Sequence, residues 1–149
     1  MRHATAIAAA FATMMLAGAA HAADHEVQML NKGEAGVMVF QPAFIQAAPG
    51  DTVTFVPTDK GHDAASIDGM IPDGAEPFKG QISKPITVTL DKEGLYGVKC
   101  VPHYGMGMVA LIEVGKPVNL DAIKEKAAKQ PGKAKKVFAD LLAKVSTGD

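Results

Sequence analysis

Lys99-Cys100-Val101-Pro102-His103-Tyr104-Gly105-Met106-Gly107-Met108 joins two runs that read as strands, Leu95-Tyr-Gly-Val-Lys99 before it and Met108 to Val114 after it. It is therefore a loop at one end of a β structure. It carries the only cysteine of the chain, a histidine three residues on and a methionine five beyond that. Taken singly, a free cysteine is usually a small buried hydrophobe, and a lone histidine is usually structural. Three soft donors in one tight loop with two glycines and a proline serve no packing purpose. Thiolate, imidazole and thioether suit copper, whereas calcium and magnesium want oxygen. A trigonal His₂Cys set with a long axial methionine needs one more histidine, and Lys60-Gly61-His62-Asp63 offers it from a turn-rich segment between apolar runs. His62, Cys100, His103 and Met108 are thus the candidate metal ligands.

Working outward, the chain from Asp24 to Val114 reads as all-β. Glu26-Val-Gln-Met-Leu30 and Val37-Met-Val-Phe40 alternate, split by the turn signal Asn31-Lys32-Gly33. Phe44 to Ala47 resumes after Pro42, and Pro49-Gly50-Asp51 marks another turn. Thr52-Val-Thr-Phe-Val56 sets β-branched and aromatic residues in alternation, as a half-buried strand requires. Ile86-Thr-Val-Thr-Leu90 and Leu95 to Lys99 repeat the pattern around Asp91-Lys-Glu-Gly94. Short strands separated by Gly and Pro turns predict a sandwich or barrel. Gly61 to Gly80 is irregular and is predicted to hold inter-sheet loops.

After Gly115 the composition changes. Asn119 is predicted to cap a helix running to Lys129. Pro131-Gly132 breaks it, with Pro131 in the first turn of a second helix. Val137, Phe138, Leu141, Leu142 and Val145 recur there at helical spacing, so residues 119–146 read as a helical tail whose apolar stripe packs on a sheet.

The N-terminus reads as an export leader. Arg2 and His3 form a short polar start, Ala4 to Gly18 is apolar, and Ala20-His21-Ala22 fits a small-x-small cleavage site. Cleavage after Ala22 is expected, giving a leader at 1–22 and one domain at 23–149. The apolar core is too short for a comfortable membrane span. The remaining chain has 14 Lys and Arg against 16 Asp and Glu once Arg2 is removed, which lacks the basic footprint of a nucleic-acid binder. A single cysteine excludes an intramolecular disulfide, and metal ligation explains a thiol in an exported protein, because a bound thiolate is sequestered.

Cys100-x-x-His103-x-x-x-x-Met108 with an upstream Gly61-His62 resembles the copper loop of the cupredoxins, the type 1 blue-copper family. The fuller string through Tyr104-Gly-Met-Gly-Met108, with Ala75-Glu76 upstream and the helical tail, is most similar to the pseudoazurin branch. The resemblance implies a Greek-key β-sandwich of about eight strands with a two-helix extension, one type 1 copper ion and a periplasmic monomer with no enzyme activity. It implies His62 Nδ1, Cys100 Sγ, His103 Nδ1 and axial Met108 Sδ as ligands, with Asn31 tying the ligand loops and Met38, Pro102 and Met106 around His103. Backbone amides of Asp63 and of the residue two after Cys100 would donate to the sulfur, but that residue is Pro102, which has no N–H. The family's usual asparagine after the first histidine is Asp63 here, and an ionised carboxylate cannot donate. Lys32, Lys60, Lys79 and Lys99 match a basic ring that steers acidic partners. The implied partners are a copper nitrite reductase, in denitrification, or c-type cytochromes.

Two other readings stay open. A periplasmic copper carrier or chaperone would also use Met and His, and another small cupredoxin such as amicyanin or plastocyanin would share the ligand types. The helical tail and the four-residue gap between His103 and Met108 favour the pseudoazurin branch. A multi-copper oxidase needs more histidines than His25 supplies, and a c-type haem needs Cys-x-x-Cys-His.

Overall fold

The computed structural model describes residues 21–147. Most of the expected leader, residues 1–20, lies outside the described residues. Eight strands follow in the order β1 (Asp24–Gly33), β2 (Gly36–Gln41), β3 (Phe44–Ala47), β4 (Asp51–Val56), β5 (Ala65–Ser66), β6 (Ile86–Leu90), β7 (Gly94–Lys99) and β8 (Val109–Val114), then helices α1 (Leu120–Ala127) and α2 (Ala134–Leu142). One sheet has the order β2-β1-β4-β6 and the other β3-β8-β7-β5. The chain crosses between sheets after β2 and again after β3, so β1 pairs β4 in parallel and β3 pairs β8 in parallel. This is the expected all-β sandwich with a two-helix extension.

Side-chain alternation explains why two strands are buried on both faces. Along β7 and its continuation, Tyr96, Val98 and Cys100 point between the sheets, as do Ala110, Ile112 and Val114 of β8. Leu95, Val109 and Leu111 point the other way, into a second core closed by Ile123, Ala127, Ala134, Phe138 and Leu141 of the helices. A strand buried on both faces reads as an unbroken apolar run, as Met108 to Ile112 does. Phe55 anchors the inter-sheet layer, edge-on to Phe40 at 5.6 Å and stacked near Phe78 at 6.2 Å.

Four local expectations need correction. The strand β1 does not turn at Asn31-Lys32-Gly33; pairing runs on to Gly33 opposite Gly36, and the turn falls at 34–35. Asn and Gly permit a turn, but the ladder available from β2 extends the strand. Asn31 and Met38 drop out of that ladder, where Met38 adopts φ +50°, and the side chain of Asn31 is spent elsewhere (below). Asn119 stands at the start of α1 without capping it. Its Oδ1 accepts from Leu95 N–H at 2.7 Å and its Nδ2 donates to Leu95 O at 3.0 Å, pinning the helix to β7 instead. Pro131 lies before the second helix, which begins at Ala134. The two-residue strand β5, within the segment expected to be loops, is held by pairing with β7.

At the far end of β1, Asp51 gathers three donors. Its Oδ2 accepts from Ala48 N–H at 2.9 Å and lies 2.9 Å from His25 Nε2, and its Oδ1 accepts from Ala23 N–H at 2.9 Å. The Ala48 amide, then His25 and the Ala23 amide, hold this carboxyl down at about 2 from an ordinary 3.8. A depressed folded-state value means stabilisation that is complete above the unfolded value and is lost as pH falls towards the folded one. Asp51→Asn is therefore expected to be less stable than the parent at neutral pH, with the difference vanishing between about pH 4 and pH 2. Urea unfolding across that range checks it; a difference that persists undiminished at pH 2 contradicts it.

Candidate metal centre

The register of β7 against β8 sets two of the four candidate residues. Lys99 pairs with Val109, and the ladder extends one step, with Cys100 N–H donating to Met108 O at 3.0 Å. Cys100 and Met108 thereby continue the faces of Val98 and Ala110, both wholly buried at the end of the inter-sheet core. A slip of one residue would send both sulfurs towards the helices. Between them Val101–Met106 forms a 3₁₀ segment. Pro102 fixes φ near its start, and Gly107, at φ +91°, closes it in the left-handed conformation that side chains resist. His103 N–H donates to Cys100 O at 3.2 Å, and Met108 N–H donates to His103 O at 3.2 Å. The loop thus turns His103 back over Cys100.

His62 arrives from the segment between β4 and β5 and is fully buried. Ser83 fastens that turn from both sides. Its Oγ accepts from Gly61 N–H at 2.8 Å and its N–H donates to His62 O at 2.8 Å. Nothing local marks Ser83 in the sequence, since its partner lies more than twenty residues away. His62 Nε2 lies 2.9 Å from Asn31 Oδ1. A carbonyl oxygen only accepts, so Nε2 carries the hydrogen and Nδ1 presents its lone pair. Asn31 plays the tying role the resemblance implies, and it fixes the ring's tautomer, as partners of metal-binding histidines do.

Three donor atoms then converge. His62 Nδ1 is 3.1 Å from His103 Nδ1, and Cys100 Sγ is 3.8 Å from the first and 3.5 Å from the second. With metal–nitrogen and metal–sulfur bonds of about 2.0 and 2.3 Å and angles of about 100–120° at the ion, two nitrogens stand about 3.1–3.5 Å apart and a nitrogen and a sulfur about 3.3–3.7 Å. The observed triangle matches that size. Among the described residues this is the one group of three or more such side chains able to hold a metal. Burial, more than the neighbouring His103, lowers the pKa of His62. Burial likewise raises the Cys100 thiol, against the pull of the Asp63 and His103 backbone amides. Burial thus favours the neutral forms of His62 and Cys100 until a metal displaces the thiol proton. The His103 amide is the sulfur's neighbour that sequence reasoning missed; it lies one residue beyond the blocked Pro102 position.

Asp63 keeps the loops joined without donating. It is buried, and its Oδ1 accepts from Val101 N–H at 2.7 Å. Removing it with Asp63→Ala leaves that amide unpaired, for an expected loss of about 1–3 kcal/mol. Asp63→Asn retains an accepting oxygen and should cost less than half as much. Chemical unfolding of the metal-free forms separates the two; equal losses would mean that the Val101 bond does not matter.

His103 is half-buried while His62, Cys100 and Met108 are sealed. Around it Val101 and Met106 are exposed by 45% and 48%, beside exposed Pro102. Lys32, Lys60 and Lys79 are exposed, whereas the ammonium of Lys99 sits 5.0 Å above the Tyr104 ring. Among the described residues no helix is long and apolar enough to cross a membrane.

Residues 27–115 match the model of the copper-binding proteins of the plastocyanin/azurin family. A pseudoazurin of Paracoccus pantotrophus is 52% identical over 147 residues, covering 98% of this chain and all of that one. The crystal structure of native pseudoazurin from Hyphomicrobium denitrificans superimposes with a TM-score of 0.79 at 54% identity, covering 83% of this chain and 99% of that one. Pseudoazurin from Methylobacterium extorquens AM1 gives 0.78 at 45% identity, over 83% and 99% respectively. With a soft-donor triangle matched to one copper ion, a two-sheet body and likeness along almost its whole length, the chain belongs to the copper-binding plastocyanin/azurin family and, within it, to the pseudoazurins.

Proposed function

We propose that the protein is a blue-copper electron carrier of the periplasm, with His62 Nδ1, Cys100 Sγ and His103 Nδ1 as the strong ligands and Met108 Sδ as the weak axial one. The observation that carries this is the triangle of two imidazole nitrogens and one sulfur within 4.8 Å, sealed on the His62 side and open to the surface only at His103. Copper held there supplies a one-electron Cu(II)/Cu(I) couple. The chain's contribution is to hold its donors nearly still. Cys100 and Met108 are locked by the ladder, His62 by Asn31 and Ser83, and the two loops are joined through Asp63 and Val101. Donors that move little demand little reorganisation, and a small reorganisation means a low barrier to transfer.

The edge of His103, ringed by exposed Val101, Pro102 and Met106, is the exit for the electron. Lys32 adjoins Asn31, Lys60 lies two residues before His62 and Lys99 precedes Cys100, so three of the four lysines flank elements of the site. Lys79 lines a shallow pocket together with Lys99 and Val101. Such charges steer an acidic partner and set the association rate. A copper nitrite reductase in denitrification fits as acceptor and c-type cytochromes as the other exchange partners. A leader at 1–22 would deliver the chain to them, leaving residues 23–149 as one domain, monomeric and without enzyme activity of its own.

The test is the visible and paramagnetic-resonance spectrum of the copper-loaded protein with its voltammetry. An intense thiolate-to-Cu(II) band and a reversible one-electron wave are expected. Copper that a mild chelator strips rapidly, with no such band, would instead indicate a chaperone.

A further inference from the structure

The other pole of the sandwich holds nitrogen donors that the copper centre does not use. Ala23 and Asp24 are exposed and His25 is half-buried, and Val27 is the first residue of β1 in the core. Both ends of this tripeptide are drawn to one carboxylate. Ala23 N–H donates to Asp51 Oδ1 and His25 Nε2 lies against Asp51 Oδ2. A carboxylate accepts only, so Nε2 is the ring nitrogen that carries the hydrogen towards Asp51, and in the neutral imidazole the lone pair lies on Nδ1. Asp51 has thereby selected the tautomer that a metal needs.

We propose that removal of residues 1–22 turns Ala23-Asp24-His25 into a second metal site, taking Cu(II) or Ni(II) in a square plane of four nitrogens. It rests on cleavage after Ala22, the leader boundary proposed above. The cut replaces the amide nitrogen of Ala23 by a primary amine. That amine, the backbone nitrogens of Asp24 and His25, and His25 Nδ1 can then close three fused chelate rings around one ion. Nδ1 is required, because Nε2 lies too far along the ring to close the last of them. Planar nitrogen sets are the preference of Cu(II) and Ni(II). The protons balance simply. The ammonium gives up one, the Asp24 and His25 amides one each, and all go to solvent. Two anionic amides then neutralise the divalent ion, and no oxidation state changes.

The fold permits the rearrangement. To wrap an ion the tripeptide must leave its extended path, giving up the pairing of Asp24 with Thr52 and of His25 with Val53 at the first two steps of the β1–β4 ladder, the bond from Thr52 N–H to Ala23 O at 2.9 Å and those from the Thr52 and Thr54 hydroxyls to Asp24 Oδ1 at 2.6 and 3.1 Å. The threonine-to-Asp24 bonds are exposed, and no core side chain is lifted, since Val27 stays in place. Chain termini open at little cost. Asp51 can still accept from Nε2–H of a metal-bound His25, which makes the ring a better ligand. From His25 to Asn31, which touches His62, β1 rises about 20 Å, so the two metal sites are independent.

The test uses the copper-loaded, reduced protein beginning at Ala23, titrated with nickel chloride. Square-planar Ni(II) is diamagnetic and yellow, and Cu(I) is colourless. One equivalent is expected to give the planar absorption, release protons in a pH-stat and shift NMR signals of residues 23–25 and their neighbours on β4. Adding one glycine before Ala23, or making His25→Gln, should weaken binding by about 100-fold or more, because each removes a chelating anchor. Equal binding by the glycine-extended chain, or nickel that stays hydrated with the chain beginning at Ala23, overturns the chelate. Mass spectrometry of the exported protein tests the boundary separately. A first residue other than Ala23 overturns the leader reading and removes the site from the natural protein, whatever the chelate does in isolation.

Discussion

Cys100→Ser is expected to abolish the intense visible band proposed for the copper-loaded protein. The sulfur lies at the apex of the donor triangle, 3.5 and 3.8 Å from the two imidazole nitrogens, and a charge-transfer band needs a thiolate to give up charge. A serine hydroxyl is a hard donor that stays protonated at this buried position, and it suits copper poorly. The side chains are close in size, so the sandwich should still form and residual copper should be held by the histidines with only weak colour. Absorption and paramagnetic resonance of the variant check this. Full retention of colour would mean that the thiolate is not a ligand, whatever the geometry. The metal-free variant should unfold within about 1 kcal/mol of the parent, because the swap opens no large cavity.

Phe138→Ala is the largest expected stability effect. Phe138 is wholly buried on α2, in the layer with Leu111, Ile123 and Leu141. Truncating a buried phenylalanine costs about 3–5 kcal/mol, against a typical total of about 5–15 kcal/mol for a domain. The expected result is a urea midpoint shifted down accordingly in one cooperative transition. A loss under about 1 kcal/mol would show the helices to be an accessory layer that contributes little. The effect should also reach the copper loop, since Lys133 N–H, just before α2, donates to Gly105 O at 3.0 Å.

What the sequence made legible follows from the range of each signal. Alternation in Thr52 to Val56 and the unbroken run at Met108 to Ile112 are local patterns, and both became the strands they suggested. The soft donors stood out because their chemistry is unusual at that spacing, and the structure brings His62, Cys100 and His103 together. What stayed hidden depended on partners distant along the chain. Asn119 reads as a cap until Leu95 is seen beside it. Asn31-Lys32-Gly33 reads as a turn until β2 offers a ladder, and Ser83 carries no mark of its hold on His62. Ala65–Ser66 is too short to show any period, and only the neighbouring β7 makes it a strand. Asp63 stands where the resemblance implies asparagine, and its Oδ1 accepts from the Val101 amide, a contact fixed by the fold and not by any local pattern.

Gly132 bears on how such a protein can change over generations. It holds φ +53°, and a methyl group there would stand 2.5 Å from the carbonyl oxygen of Gly105. The appendage that follows the sandwich therefore presses backbone to backbone on the very bend that carries three of the four proposed ligands. Transplanting Cys100 to Met108 alone onto a foreign scaffold would strip that bend of its outer brace, and a larger residue at 132 would push it inward. Loop and appendage have to be inherited, or engineered, as one piece.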